Sequence, residues 1–263
     1  MEEKMKHVNY GVILLALLLA AMAMIPMVSA AGENYGTTQQ TVITTVQHSI
    51  ETNSSTPQMN QSEFRTYIQK MSQKYGSDKV KALTTLTGEP DTLSPQLSYV
   101  GVWTDHLTTP SGGNSDCALM LYKFNQADPS GKDHYYYWQW TSAQPNSGVV
   151  LTDFWNKVQL TNGNSRLITY NPGSTITGNQ QTVNVGISTG YSGINFNIGG
   201  AFVLHQDTVK PKAGDCQVGY GGKYAVEWSG IYGNPQEIHG AMHMDIPSGQ
   251  SLTSTWTNSL TAV

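Results

Sequence analysis

The sequence predicts an all-β protein: an antiparallel β-sandwich of about ten short strands preceded by a short helical segment. Three observations carry that expectation. From about Leu97 onward apolar and polar residues alternate with a period of two, in runs such as "LSYVGVW", "CALMLYKF", "HYYYWQW", "TVNVGI" and "YAVEWSGIY", the pattern of strands with two unlike faces. Turn chemistry separates the runs: Pro110-Ser111-Gly112-Gly113, Asp128-Pro129-Ser130-Gly131, Pro145-Asn146-Ser147-Gly148, Asn162-Gly163, Asn171-Pro172-Gly173 and Pro247-Ser248-Gly249. Charged residues make up only 12% of the chain. The polar surface must then come from Ser, Thr, Asn, Gln and Gly, as suits an exported β protein.

The elements follow in order. Residues 1–30 read as a signal peptide. Lys4 and Lys6 precede an apolar run from Gly11 to Val28, which closes on Val28-Ser29-Ala30, small residues at the positions a signal peptidase reads. The run is also close to the length of a minimal membrane span, so a retained anchor is the alternative. Residues 31–60 are polar and Thr- and Gln-rich and read as a flexible lead-in. Two glycosylation sequons begin at Asn53 and Asn60. Residues 61–94 read as a short helical segment. Phe64, Ile68, Met71 and Tyr75 share one helical face, and a second short run starts at Ser77 and stops at Gly88. The sandwich domain spans 95–263.

Cys117 and Cys216 are the two cysteines. In an oxidising compartment an even pair reads as a disulfide. It would close a loop of about 100 residues, valued at about 4–5 kcal/mol in the chain-entropy model.

The net charge is −4, with no basic surplus to attract nucleic acid or an anionic bilayer. No G-x-S-x-G elbow and no phosphate-binding lysine loop is present, and no cofactor is expected. The reading is therefore a secreted or cell-surface protein with a non-catalytic binding or structural role.

Several residues are candidates for more. In "HYYYWQW", Tyr135 and Tyr137 share one strand face while Tyr136, Trp138 and Trp140 share the other. The plain expectation puts the Trp face in the core and leaves the Tyr face half exposed. The sharper one makes Tyr135 and Tyr137 a shelf for a sugar ring, with a carbohydrate or cell-surface partner. In "EIHGAMHMD", Glu237, His239, His243 and Asp245 share one strand face. His239 and His243 would lie about 13 Å apart along a strand, too far for one metal ion, whereas His243 and Asp245 are within reach of one. The plain expectation is a solvated polar face. Glu227 and Glu237 lie in neighbouring runs and would be the acid–base pair of a secreted glycoside hydrolase.

Residues 182–204, "TVNVGISTGYSGINFNIGGAFVL", form a hairpin pattern with one apolar face, one small polar face and no charge. A sandwich hairpin has this pattern. So does the membrane stem of a β-pore-forming toxin. A membrane partner is expected only if this stem reading holds or the N-terminal run is retained.

Overall fold

The computed structural model describes residues 42–52, 59–75, 97–109, 112–178, 181–191, 194–204 and 207–263. The apolar N-terminal run, the cleavage site expected after Ala30, Asn53 and the run from Ser77 to Gly88 lie outside them.

Fourteen strands and one helix are present among the described residues. In chain order they are β1 (Val42–Glu51), α1 (Gln61–Tyr75), β2 (Leu97–Thr109), β3 (Gly113–Phe124), β4 (Lys132–Pro145), β5 (Leu151–Leu160), β6 (Arg166–Asn171), β7 (Ile176–Thr177), β8 (Gln181–Tyr191), β9 (Ile194–Leu204), β10 (Thr208–Pro211), β11 (Gly219–Tyr220), β12 (Lys223–Tyr232), β13 (Gln236–Pro247) and β14 (Thr253–Ala262). One six-stranded sheet has the order β1-β14-β5-β12-β10-β7, the other β11-β6-β13-β4-β3-β2, and β8-β9 stand apart as a two-stranded sheet. The protein is all-β and antiparallel with a short helix, as the period and turns predict.

The two large sheets face each other across a core with a polar centre. On β4 the residues facing the partner sheet are Tyr135, Tyr137, Gln139 and Thr141. The Tyr137 hydroxyl lies 2.9 Å from Ser254 Oγ, and Gln139 Nε2 donates to Asn156 Oδ1 at 3.0 Å. Asn156 Nδ2 donates to Thr141 Oγ1 at 3.2 Å, and Trp256 Nε1 donates to Asn156 Oδ1 at 2.9 Å. Buried polar groups are tolerated when partnered in this way.

This overturns two expectations. Tyr135 and Tyr137 are 5% and 1% exposed, so they form no shelf for a sugar. The Trp face is not the face between the sheets. Trp138 and Trp140 point to the outer side of their sheet, yet both are fully buried, because a third layer covers them. Tyr75 of α1 meets Trp140 edge-on at 6.3 Å, and the β8-β9 hairpin covers the rest.

Helix α1 is held on that side by its predicted face: Phe64, Ile68, Met71 and Tyr75 are all buried. A polar anchor completes the seam. Buried Asp116 on β3 accepts from Lys74 Nζ at 2.6 Å and Tyr75 Oη at 2.5 Å, and lies 2.8 Å from His106 Nδ1. Burial opposes ionisation of Asp116, but these hydrogen bonds outweigh it and hold the carboxyl below its ordinary value. Asn60 starts the helix. Its Oδ1 accepts from the amides of Ser62 at 2.9 Å and Glu63 at 3.0 Å, and Glu63 Oε2 accepts from the Asn60 amide at 2.8 Å, a reciprocal cap. Asn60→Ala is expected to cost about 1 kcal/mol, read as a shift in the urea midpoint.

The stretch expected to be a flexible lead-in contains β1, which pairs antiparallel with β14 from Val42↔Ala262 to Glu51↔Thr253. From Ile43 to Glu51 its side chains are mostly exposed, and among these only Ile50 is fully buried. An edge strand held by backbone pairing needs little apolar alternation, so the polar composition concealed it.

The disulfide expectation also fails. Both cysteines are free thiols. Cys117 lies mid-strand in β3, where its sulfur accepts from Thr141 Oγ1 at 3.5 Å, and burial pushes its thiol pKa up. Cys216 lies between β10 and β11 and its sulfur donates to the Ala225 carbonyl on β12, in the opposite sheet, at 3.4 Å.

Candidate functional site

The third layer and the face beneath it form the most unusual region of the molecule. The hairpin pairs in uninterrupted register from Gln181↔Leu204 to Tyr191↔Ile194. Neither strand joins a six-stranded sheet through the ladder. Val183, Val185, Ile187, Phe202 and Leu204 are buried, whereas Thr182, Asn184 and Val203 are exposed. At these residues the hairpin therefore lies with its apolar side down, and its strands pack against β13 and β6. Two side-chain hydrogen bonds to its backbone assist: Asn171 Nδ2 donates to the Gly186 carbonyl at 2.8 Å, and Gln236 Nε2 to the Val203 carbonyl at 3.2 Å.

The surface under it is polar. β13 pairs with β4 in a register that sets Glu237 opposite Ser142, His239 opposite Trp140, His243 opposite Tyr136 and Asp245 opposite His134. The face expected to be solvated is thus buried: Glu237, His239, His243 and Asp245 are at most 3% exposed. His239 Nε2 contacts Glu237 Oε1, which also accepts from Trp140 Nε1 at 2.6 Å. The His239 ring meets Trp138 at 5.3 Å and Phe202 of the hairpin at 5.0 Å. Two residues on from Ala241, His243 Nε2 lies 2.9 Å from His134 Nδ1 and its ring stacks on Tyr136 at 4.5 Å. Burial, followed by the neighbouring His134, pushes the His243 pKa down to about 3. Asp128 Oδ2 lies 3.3 Å from His134 Nε2.

Asp245 is taken by cations. Arg166 donates to it through Nη2 at 2.5 Å and Nε at 3.3 Å, and Lys132 Nζ lies 3.3 Å away. The metal reading of His243 with Asp245 therefore gives way: the carboxylate is neutralised and the imidazole is paired with another imidazole. Among the described residues no group of three His, Cys, Asp or Glu is placed to hold a metal ion.

The carboxylate pair of a hydrolase is likewise not assembled. Glu227 contacts Lys212 and lies 3.4 Å from Lys210, on the outer side of the other sheet from Glu237. Its closest acidic neighbour is Asp153, whose pKa is pushed up to about 7 by burial and by a hydrogen bond with Glu227. Carboxyls in direct contact leave no room for a glycosidic bond, which needs them about 5 Å apart or more.

Sequence reasoning set His239 and His243 on one face but missed His134 as a partner. The two segments are far apart in the chain, and only the β4-β13 register joins them.

No family model matches the chain, and no curated protein matches it. Among solved structures it is similar to one described as a pore-forming protein, with 10% identity and a TM-score of 0.36 over 60% of this chain and 79% of that one. It is also similar to the NetB toxin of Clostridium perfringens in its membrane-inserted form, with 9% identity and a TM-score of 0.29 over 60% of this chain and 84% of that one.

Proposed function

We propose that the chain is an exported pore-forming protein in which residues 181–204 are stored against the sandwich and inserted into a bilayer as one hairpin of a shared β-barrel. The observation that carries this reading is the docked hairpin: two strands of 11 residues each, free of charge and outside both large sheets. A transmembrane β-strand needs about 9–11 residues. The sequence alternates apolar with small polar residues, as a strand between lipid and lumen requires. A lone hairpin would leave two open edges in hydrocarbon, so several copies must close a barrel. The N-terminal apolar run from Gly11 to Val28, closed by Val28-Ser29-Ala30, supports export. No described helix is long and apolar enough to cross a bilayer, which says nothing of strands.

Dye leakage from vesicles tests the reading. Asn171→Cys and Gly186→Cys in a Cys216→Ser background, joined by a short reducible bis-methanethiosulfonate, should hold the hairpin down. Leakage is expected to vanish on tethering and return on reduction. An untethered protein that releases no dye from neutral or anionic vesicles, at any pH, would sink the proposal, as would leakage that the tether leaves unchanged.

A further inference from the structure

We infer that the buried histidines under the hairpin make its release acid-driven, so that protons are the signal that frees residues 181–204. The inference rests on the stem reading for its consequence and on the buried layer for its cause.

His134 and His243 are buried side by side on neighbouring strands β4 and β13. Their 2.9 Å Nδ1···Nε2 contact is a hydrogen bond with one proton between two nitrogens. If both imidazoles are fully protonated, two N–H groups face each other and the contact must open. The surrounding charges leave no compensation to spare. From β6 comes Arg166, from β4 Lys132 and the neutral Tyr136, from β13 Asp245, and from the β3-β4 turn Asp128. Two cations and two anions already face the pair, and both cations sit on Asp245. An added proton therefore brings net positive charge to a buried site, which is costly.

His239 lies nearer the hairpin, with its ring 5.0 Å from that of Phe202. It is fully buried against Trp138 and Phe202, and its Nε2 contacts Glu237, which also accepts from Trp140. Its Nδ1, like that of His243, has no hydrogen-bond partner among the described residues. The hairpin can supply no counter-charge, since residues 181–204 contain no Asp, Glu, Lys, Arg or His. β8 and β9 pack on β13, the strand that carries His239 and His243, so lifting them lets water reach the layer and removes the burial part of the cost of the charged form.

The sign follows from linkage. A histidine freed to titrate near 6.5, but held near 3 while docked, favours the docked state above pH 6.5. Below that the released state binds more protons and gains. For one proton the release equilibrium should rise about tenfold between pH 7.5 and 5.5, and about tenfold more by pH 4.5.

Two readouts on the purified protein separate the inference from the stem reading. Amide hydrogen exchange within 181–204, corrected for its intrinsic pH dependence, reports release alone. Dye leakage from phosphatidylcholine vesicles, whose charge is constant over this range, reports insertion. Both are expected to rise about tenfold from pH 7.5 to 5.5, and His243→Phe, which keeps the stack on Tyr136, should flatten both profiles. His243→Gln serves the same purpose should the phenylalanine variant not fold. Exchange that does not change with pH, or a wild-type rise retained in the folded variant, overturns the acid mechanism. Exchange that rises while leakage is absent supports acid release and overturns the stem.

Discussion

Asn156→Ala is expected to lower folding stability by about 3–5 kcal/mol, one of the largest effects of any single substitution away from the aromatic core. Asn156 is fully buried on β5. Its Oδ1 accepts from Trp256 Nε1 and Gln139 Nε2, its Nδ2 donates to Thr141, and its backbone carbonyl takes a second bond from Gln139 at 3.2 Å. One side chain thus ties β4 of one sheet to β5 and β14 of the other. Truncation leaves the indole N–H and part of the Gln139 amide facing a small cavity. Each buried orphan costs about 1–3 kcal/mol, against a total stability of about 5–15 kcal/mol for a typical protein. The measurement is urea unfolding, with a lower midpoint at unchanged slope. Trp256→Phe makes the comparison: it removes one donor but leaves the Asn156 oxygen bonded to Gln139, so a cost of about 1–2 kcal/mol is expected from the lost bond. Equal losses in the two variants would mean that Asn156 is not the hub.

That network also shows what period-two alternation can and cannot reveal. Alternation correctly sorted Tyr135, Tyr137 and Gln139 from Tyr136, Trp138 and Trp140. It carried no information on which set meets the second sheet, because both sets are buried. A two-layer picture has one interior face per sheet, and so it assigned the polar face of β13 to solvent. The third layer converts that outer face into interior, which explains why β3, β4 and β13 are buried along nearly their whole length.

The hairpin itself was legible almost to the residue, because its alternation, the Gly-Tyr-Ser-Gly sequence that interrupts it and the lack of charge are all local. Its docking site was not. The contacts of Glu237 with Trp140 and of His243 with His134 depend on long-range register, and parity of cysteine count has no geometric content at all. Cys117 and Cys216 took separate partners in opposite sheets. β1 was concealed for a different reason: its stability comes from backbone bonds to β14, which leave no mark on side-chain pattern.

Within the hairpin, two adjacent positions should respond in opposite ways if it spans a bilayer. Asn184 is exposed on the docked hairpin and Val185 is buried beneath it. In a barrel the apolar set would face lipid and the polar set the lumen. Asn184→Lys should therefore insert normally, change folded stability by less than about 0.5 kcal/mol, and shift the channel toward anions by lining it with positive charge. Val185→Lys should abolish leakage. A lysine on the lipid face near the midplane costs about 2–4 kcal/mol, which is about a 30- to 800-fold loss in insertion for each copy, multiplied over every copy in the barrel. The same substitution also loosens the docked hairpin by placing an amine over the histidine layer, so hydrogen exchange in 181–204 should rise while leakage falls. A merely misfolded variant would show exchange throughout the chain. Single-channel recording in a planar bilayer decides the matter: reversal potentials in a salt gradient must move for Asn184→Lys, and channels must be missing for Val185→Lys. If instead both lysines leave conductance and selectivity untouched, residues 181–204 do not line or span the pore, and the stored hairpin is only a cover for the buried face.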